Sequence, residues 1–363
     1  MTGALEVGER IIALLDEGSF TATYKYAVLL GLLDLSLEMG AEVGDGSLMV
    51  TTRQLAGKVL AAYWSQVRPL PLHDGRIPRQ NGQGSRDARI VRLIDDYKRR
   101  TMREWSSPSE VHLRDAAGYE RLLSGVERVL IEMPLPRLQS IGASNDQFLY
   151  YIGWTSEVSR STVSRFLAGR SSDFDNRIIL RPGVALALIQ LNGLLRPLIQ
   201  RSWSLKVAQL NHLDEAVLHD FLFGQERSAL SRVRAPLVDL QQGRCFYCGR
   251  RLERTVAVDH FLPWARVPNN NLENLVAVHA RCNGAKRDFL PALRHVARWQ
   301  VRCDEQDKMG QAVGALAAAH HWPSAPSATL GTARAIYGRL PSSAKLWVLG
   351  EEFEERGARP LAI

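Results

Sequence analysis

Two short pairs of metal-binding residues constrain this chain more than any other feature in it. Cys245 and Cys248 stand two residues apart, and His279 and Cys282 repeat that spacing further on. A two-residue gap lets one turn present both ligands to a single ion, and four such nitrogen and sulfur donors make the tetrahedron that zinc prefers. A closed four-ligand site leaves no position for water, so the spacing predicts a structural zinc ion. Its role would be to staple the two ends of a segment too small to bury a core of its own. Four unrelated residues, or a disulfide, would rarely show this paired spacing.

A second set lies between and just after these pairs: Asp259, His260, Asn274 and Asn283. Asp259-His260 closes a short β-branched run, Thr255-Val-Ala-Val258, which reads as a strand. Asn283 follows the last sulfur ligand, near the start of a helical pattern through Lys286. If that strand packs on that helix, Asp259 and Asn283 can share one hard cation. Carboxylate and amide oxygens suit magnesium or manganese rather than zinc. His260 would sit beside that ion with an imidazole nitrogen able to take a proton from water, while the ion neutralises phosphate charge. An isolated Asp-His pair is more often a surface polar pair or a core histidine. The presence of all four residues inside the stapled segment is what carries the functional reading.

From near Gln241 to near Trp299 the chain resembles the HNH endonuclease (ββα-metal) module in its zinc-bound form. Asp259 and His260 match the Asp-His of the family's strand, and Asn274, standing before Leu275, matches its central Asn. Asn283 matches the last helical position, His or Asn, so the chain is an HNN variant. The resemblance implies Asp259 and Asn283 as ligands of a catalytic Mg2+ or Mn2+ and His260 as general base. It implies that Asn274 orients the His260 loop. Lys286 is grouped with the catalytic residues, and Arg281, Lys286 and Arg287 with the nucleic-acid contacts. The zinc positions of the family are most often four Cys. Here His279 replaces one and is not the third letter of HNH.

The chain of 363 residues suggests two or three domains. Its 45% hydrophobic and 23% charged content is that of a globular protein. No secretory leader pattern opens it. The longest apolar runs, around Tyr26–Leu37 and Val184–Ile199, are interrupted by Asp34, or by Gln190, Asn192 and Arg196, and read as buried helices rather than membrane spans. Of the four Cys, three belong to the zinc pattern and Cys303 is left for packing, which fits a reducing, cytoplasmic setting. Net charge is +8. Between residues 241 and 300 ten Arg or Lys face four Asp or Glu, so most of the excess falls on the proposed nuclease segment, where it would hold a phosphate backbone.

Apolar spacing predicts helices over Leu5–Leu15, Tyr24–Met39 and, capped by Thr51 or Thr52, through Trp64. The Pro- and Gly-rich run Pro69–Gly84 reads as a loop, followed by a helix over Ser85–Glu104. Val126–Met133, Phe148–Trp154 and Arg177–Leu180 read as short strands, and Ser159–Gly169 as a capped helix. Helices return from Pro182 to Gln242, with breaks near Trp203 and Gly224. Further helices are expected over Glu226–Gln241, Phe289–Val301, Met309–His321, Thr332–Tyr337 and Ser342–Gly350.

The expected fold is α+β: a mostly helical recognition or regulatory region (1–237) with a small β element, a zinc-stapled ββα-metal module (238–300), and a helical C-terminal segment packed on the rest (301–363). No Walker A, dinucleotide fingerprint or nucleophile elbow marks the first 240 residues. Phe20–Asp34 and Thr51–Pro69 resemble the helical half of bacterial HNH proteins that often act in host defence. The expected activity is metal-dependent hydrolysis of DNA in a restriction or anti-phage setting, with a homo-oligomer or a defence complex as possible assemblies. The competing readings are a nuclease subunit of an RNA-guided or signal-activated effector and a zinc-dependent nucleic-acid-binding module that does not cut.

Overall fold

The structure is a computed structural model that describes residues 3–17, 21–40, 44–71, 75–82, 87–103, 105, 107–141, 144–145, 147–171, 173–224, 227–253 and 255–358. Phe20, Gly84, Ser85, Glu104 and Glu226, which bound stretches named above, lie outside these residues. The chain divides into two units, Met1–Gly224 and Gln225–Ile363.

The first unit begins with α1 (Ala4–Glu17) and α2 (Tyr24–Met39). Helix α2 is buried around most of its circumference, from Tyr24 to Leu37. A helix buried on nearly every face has to sit inside a core, and here α8 (Val184–Asn211) and the next helix in the chain pack on it, while α1 packs on α8. Strand β1 (Met49–Thr51) leads into α3 (Thr52–Trp64). Thr51 is the cap: its hydroxyl accepts the Gln54 N–H while the Gln54 side chain accepts that of Thr51. Then follow α4 (Arg89–Thr101), α5 (Pro108–Arg114), α6 (Ala116–Glu132), the short β2 (Ser140–Ile141) and β3 (Ser144–Asn145), β4 (Tyr150–Ile152), α7 (Arg160–Leu167) and β5 (Arg177–Leu180). Strands β1, β5 and β4 form an antiparallel sheet in that order. Helices α8 and α9 (Glu215–Phe223) close the unit.

Two local expectations fail in this unit. Val126–Met133 is not a strand: Val126–Glu132 is the second half of α6, with Met133 its C-cap. Leu122, Leu123, Val126, Val129 and Leu130 are buried on its core-facing side, and Asp115 caps its first turn through the Gly118 N–H. Helical burial outweighs the β-branched preference. Trp203 is not a break either. It lies inside α8, fully buried, and its indole N–H donates to Gln80 Oε1 at 2.8 Å.

The second unit is built on a hairpin, β6 (Val256–His260) against β7 (Leu275–His279). All five β7 residues are buried. Leu275 and Ala277 join an apolar cluster with Leu230, Val233 and Leu237 of α10 (Arg227–Leu240) and with Val313 and Ala317 of α13 (Lys308–His320). Val276 and Val278 point the other way, into a cluster with Phe261, Trp299 and Trp347. Alternation along one strand therefore serves two cores. Each valine so buried contributes about 1.5–3 kcal/mol.

Between α10 and α13 come α11 (Ala280–Lys286) and α12 (Leu293–Gln300), and after α13 comes α14 (Pro326–Gly338). Residues 345–349 are not helical. They form β8 (Lys345–Leu349), which turns at Gly350 (φ +57°) into β9 (Glu352–Glu355). The reason is tertiary. Leu346, Trp347 and Val348 fill the module's core, and the Trp347 backbone exchanges hydrogen bonds with Leu290 and Ala292. Among the described residues no helix is long and apolar enough to cross a membrane.

Candidate active site and metal centre

Cys245, Cys248, His279 and Cys282 converge, with one donor atom from each lying within 4.8 Å of all the others. The first pair sits on a tight turn in which the Gly249 N–H returns to the Cys245 carbonyl at 2.9 Å. Gly249 has φ +69°, a conformation that a residue with a Cβ enters at a cost. The second pair comes from the end of β7 and the first turn of α11. His279 Nε2 donates to the Arg251 carbonyl at 2.9 Å, so Nδ1 faces the thiols, 3.3 Å from Cys248 Sγ and 3.9 Å from Cys282 Sγ. A second partner of this kind fixes ring orientation at metal sites. Zinc–sulfur bonds of about 2.3 Å at tetrahedral angles put neighbouring sulfurs about 3.8 Å apart, within the observed spread. Burial, and then the charges of Cys245 and Cys248, push the Cys282 thiol up to about 12. A bound cation would offset that penalty by taking the sulfurs as thiolates. The four residues could hold a metal ion, and their donor set fits zinc.

Asp259 is buried on β6. The Tyr247 hydroxyl donates to its Oδ2 at 2.6 Å, and the Lys286 ammonium lies 3.0 Å from Oδ2 and 3.3 Å from Oδ1. Burial, and then the Asp259 charge, raise the Tyr247 phenol well above its ordinary value, so it remains a donor. Lys286 is itself fully buried and donates a further bond to the His260 carbonyl at 2.8 Å. It thus ties the end of β6 to α11 from inside the protein. Asn283 lies one turn earlier on the same helix, half-buried, on the face shared by positions three apart.

His260 ends β6, 4% exposed, with Nε2 2.8 Å from Asn270 Oδ1 and its ring beside that of Trp264. Burial lowers its pKa from the ordinary histidine value, against the opposing pull of the Asn270 bond and the Asp259 charge. Burial therefore favours the neutral imidazole, the form in which it can accept a proton.

Asn274 is fully buried and ties the loop after His260 to the start of β7. Its Oδ1 accepts the Leu262 N–H at 2.8 Å, and its Nδ2 donates to the carbonyls of Leu262 and Asn269. Its own carbonyl accepts the Phe261 N–H.

Residues 245–292 match the family model described as HNH endonuclease. A second model, described as a domain of unknown function (DUF8808), matches residues 1–222, more than half of the chain. The chain is a DUF8808 protein that carries an HNH endonuclease module. No curated protein and no solved structure matches the chain.

Arg281, in the first turn of α11, and Arg287, at its C-cap, are exposed. Several further residues that shape it carried no sequence signal. Tyr247 lies inside the Cys-x-x-Cys turn yet reaches Asp259. Arg298 of α12 donates to the Phe246 and Tyr247 carbonyls of the same turn. Arg302 is 3% exposed and donates to the carbonyls of Leu272, Glu273 and Leu275 around Asn274, while the Trp299 indole donates to Glu273 as well. Only the run Asn269-Asn270-Asn271 is conspicuous in the sequence, and as a polar loop.

Proposed function

We propose that the HNH module hydrolyses phosphodiester bonds in DNA, with His260 as general base. The observation that carries this reading is a buried imidazole, bonded to Asn270, held at the end of the strand whose preceding residue is the buried carboxylate of Asp259. His260 takes a proton from the attacking water. Asn274 keeps the following loop closed on the strand so that the imidazole is held in place. Lys286 fixes the Asp259 carboxylate and the His260 backbone together.

Asp259 and Asn283 would hold the catalytic ion. Both offer oxygen donors, and Oδ1 of Asp259 takes one long contact among the described residues, leaving lone-pair capacity for a hard cation. Bound there, Mg2+ or Mn2+ would supply charge neutralisation at the phosphate. Zinc is our assignment for Cys245, Cys248, His279 and Cys282, with a structural role. Arg281 and Arg287 are proposed to hold the substrate backbone, whereas the Lys286 ammonium acts from within the fold.

For the setting we propose restriction or anti-phage defence in the cytoplasm, on the resemblance of the helical half alone. Phage plating on cells with and without the gene tests the setting. The activity is tested by offering the zinc-loaded protein single-stranded DNA, double-stranded DNA and RNA, with magnesium or manganese, and sequencing the products. Metal-dependent cuts confined to DNA support the reading; binding to all three without any cut would leave a nucleic-acid-binding module instead.

A further inference from the structure

His260 Nε2 meets the side-chain oxygen of Asn270 at 2.8 Å. An amide oxygen carries no hydrogen, so the bond forms only when Nε2 is protonated and donates. The proton on Nε2 leaves Nδ1 as the nitrogen with the lone pair. The same bond restrains the ring from rotating.

Asn270 is in turn held by residues beyond the span that the HNH family model matches. The Trp322 indole donates to the Asn270 carbonyl at 2.7 Å. On either side of it, Asn269 Nδ2 and Asn271 Nδ2 both donate to Thr329 Oγ1, at 3.3 and 3.1 Å, and Thr329 is fully buried at the start of α14. The Leu272 N–H donates to the Pro323 carbonyl at 2.9 Å. Residues 322–329 therefore form a cradle for the loop that carries Asn270. A polar loop with this many directed bonds is held in one conformation.

We propose that Asn270 is the positioning residue that sets the orientation and tautomer of His260, and that Trp322 and Thr329 hold Asn270 for that purpose. On this account the segment after the matched module belongs to the working site. The inference rests on His260 being the base, which its test keeps separate.

The experiment uses the full zinc-loaded chain and compares wild type with Asn270→Leu, Asn270→Asp and Thr329→Val. Ring-nitrogen NMR of His260 reads the tautomer without any cleavage, and plasmid nicking with magnesium reads kcat and KM. Asn270→Leu is expected to lose the protected Nε2–H signal and to lower kcat by about 10–100-fold, the usual cost of losing a residue that orients a functional histidine, with KM within about twofold. Asn270→Asp keeps an acceptor at that point and is expected to retain the ring signal and most of kcat. Thr329→Val should move both readouts in the direction of Asn270→Leu, by less. An unchanged His260 ring signal in Asn270→Leu overturns the inference. So does an equal loss of kcat in the Leu and Asp variants, which would mark a merely structural role. If wild type cuts nothing, the nuclease reading fails, and the ring signal still decides this one.

Discussion

Lys286 and Asp259 form a buried ion pair, with the ammonium 3.0 Å from Oδ2 and no part of the lysine side chain exposed. The pair links the helix and the strand of the HNH module, and the Tyr247 hydroxyl and the His260 carbonyl complete its bonding. Removing one member of such a pair leaves the other charged and unpaired in the interior. Lys286→Met should therefore destabilise the second unit by about 3–5 kcal/mol. The double change Lys286→Met with Asp259→Asn should recover much of that loss. Denaturant melts of the four proteins in the cycle check this, and a double variant as unstable as the single one would contradict it.

Cys245→Ser takes one ligand from the four-residue metal site. Where a metal staples a segment, its binding energy is folding energy. The variant is expected to lose bound zinc and to leave residues 245–292 open to hydrogen exchange. Zinc content and amide exchange at wild-type levels would rule out the structural role proposed for the ion.

His295 carries a pH dependence. It is 1% exposed; its Nε2 donates to the Val348 carbonyl at 2.7 Å, and Nδ1 accepts from Arg298 at 2.9 Å. Burial, against the pull of the Val348 carbonyl and helped by Arg298 and Arg294, lowers its pKa to about 4. Between about 6.5 and about 4 the unfolded chain binds more protons than the folded one, so stability falls as pH falls through that window. The full effect of this one residue is about 3 kcal/mol. His295→Gln should flatten the pH dependence of the second unit's melting over that range. A slope as steep as wild type would show that other groups dominate.

Asn283 stands half-buried on α11 with Lys286 on the same face. Asn283→Ala should leave the melting temperature within a few degrees, because the change removes no side chain from either apolar cluster of the second unit. Magnesium-dependent cleavage should fall by 100-fold or more, on the order of what a lost catalytic contact costs. Cleavage at the wild-type rate would remove Asn283 from the proposed ion's ligands.

Signals confined to a few neighbouring residues were legible in the sequence. The Thr51 cap needs only Gln54, three residues on, and the strongly apolar Tyr24–Met39 could only be a core helix. The Cys and His spacings announced the cluster before any fold was known. What stayed hidden depends on distant partners. Trp347 becomes a strand residue because Leu290 and Ala292 offer it a backbone edge, and the apolar run around it has no period long enough to say so. Asn270 reads as one of three loop asparagines until Trp322, 52 residues away, fixes its carbonyl. In α6 the β-branched Val126, Val129 and Ile131 imitate a strand, and only the buried face that Leu122, Val126, Val129 and Leu130 share reveals a helix.

The central claim is that the imidazole of His260 activates water for phosphodiester cleavage. It is tested most directly by nicking of supercoiled plasmid in magnesium, wild type beside His260→Ala, both zinc-loaded and equally folded by melting. The account predicts nicking by wild type that stops when the magnesium is chelated, and a loss of at least about 100-fold in the variant. Equal cutting by the two proteins would contradict it.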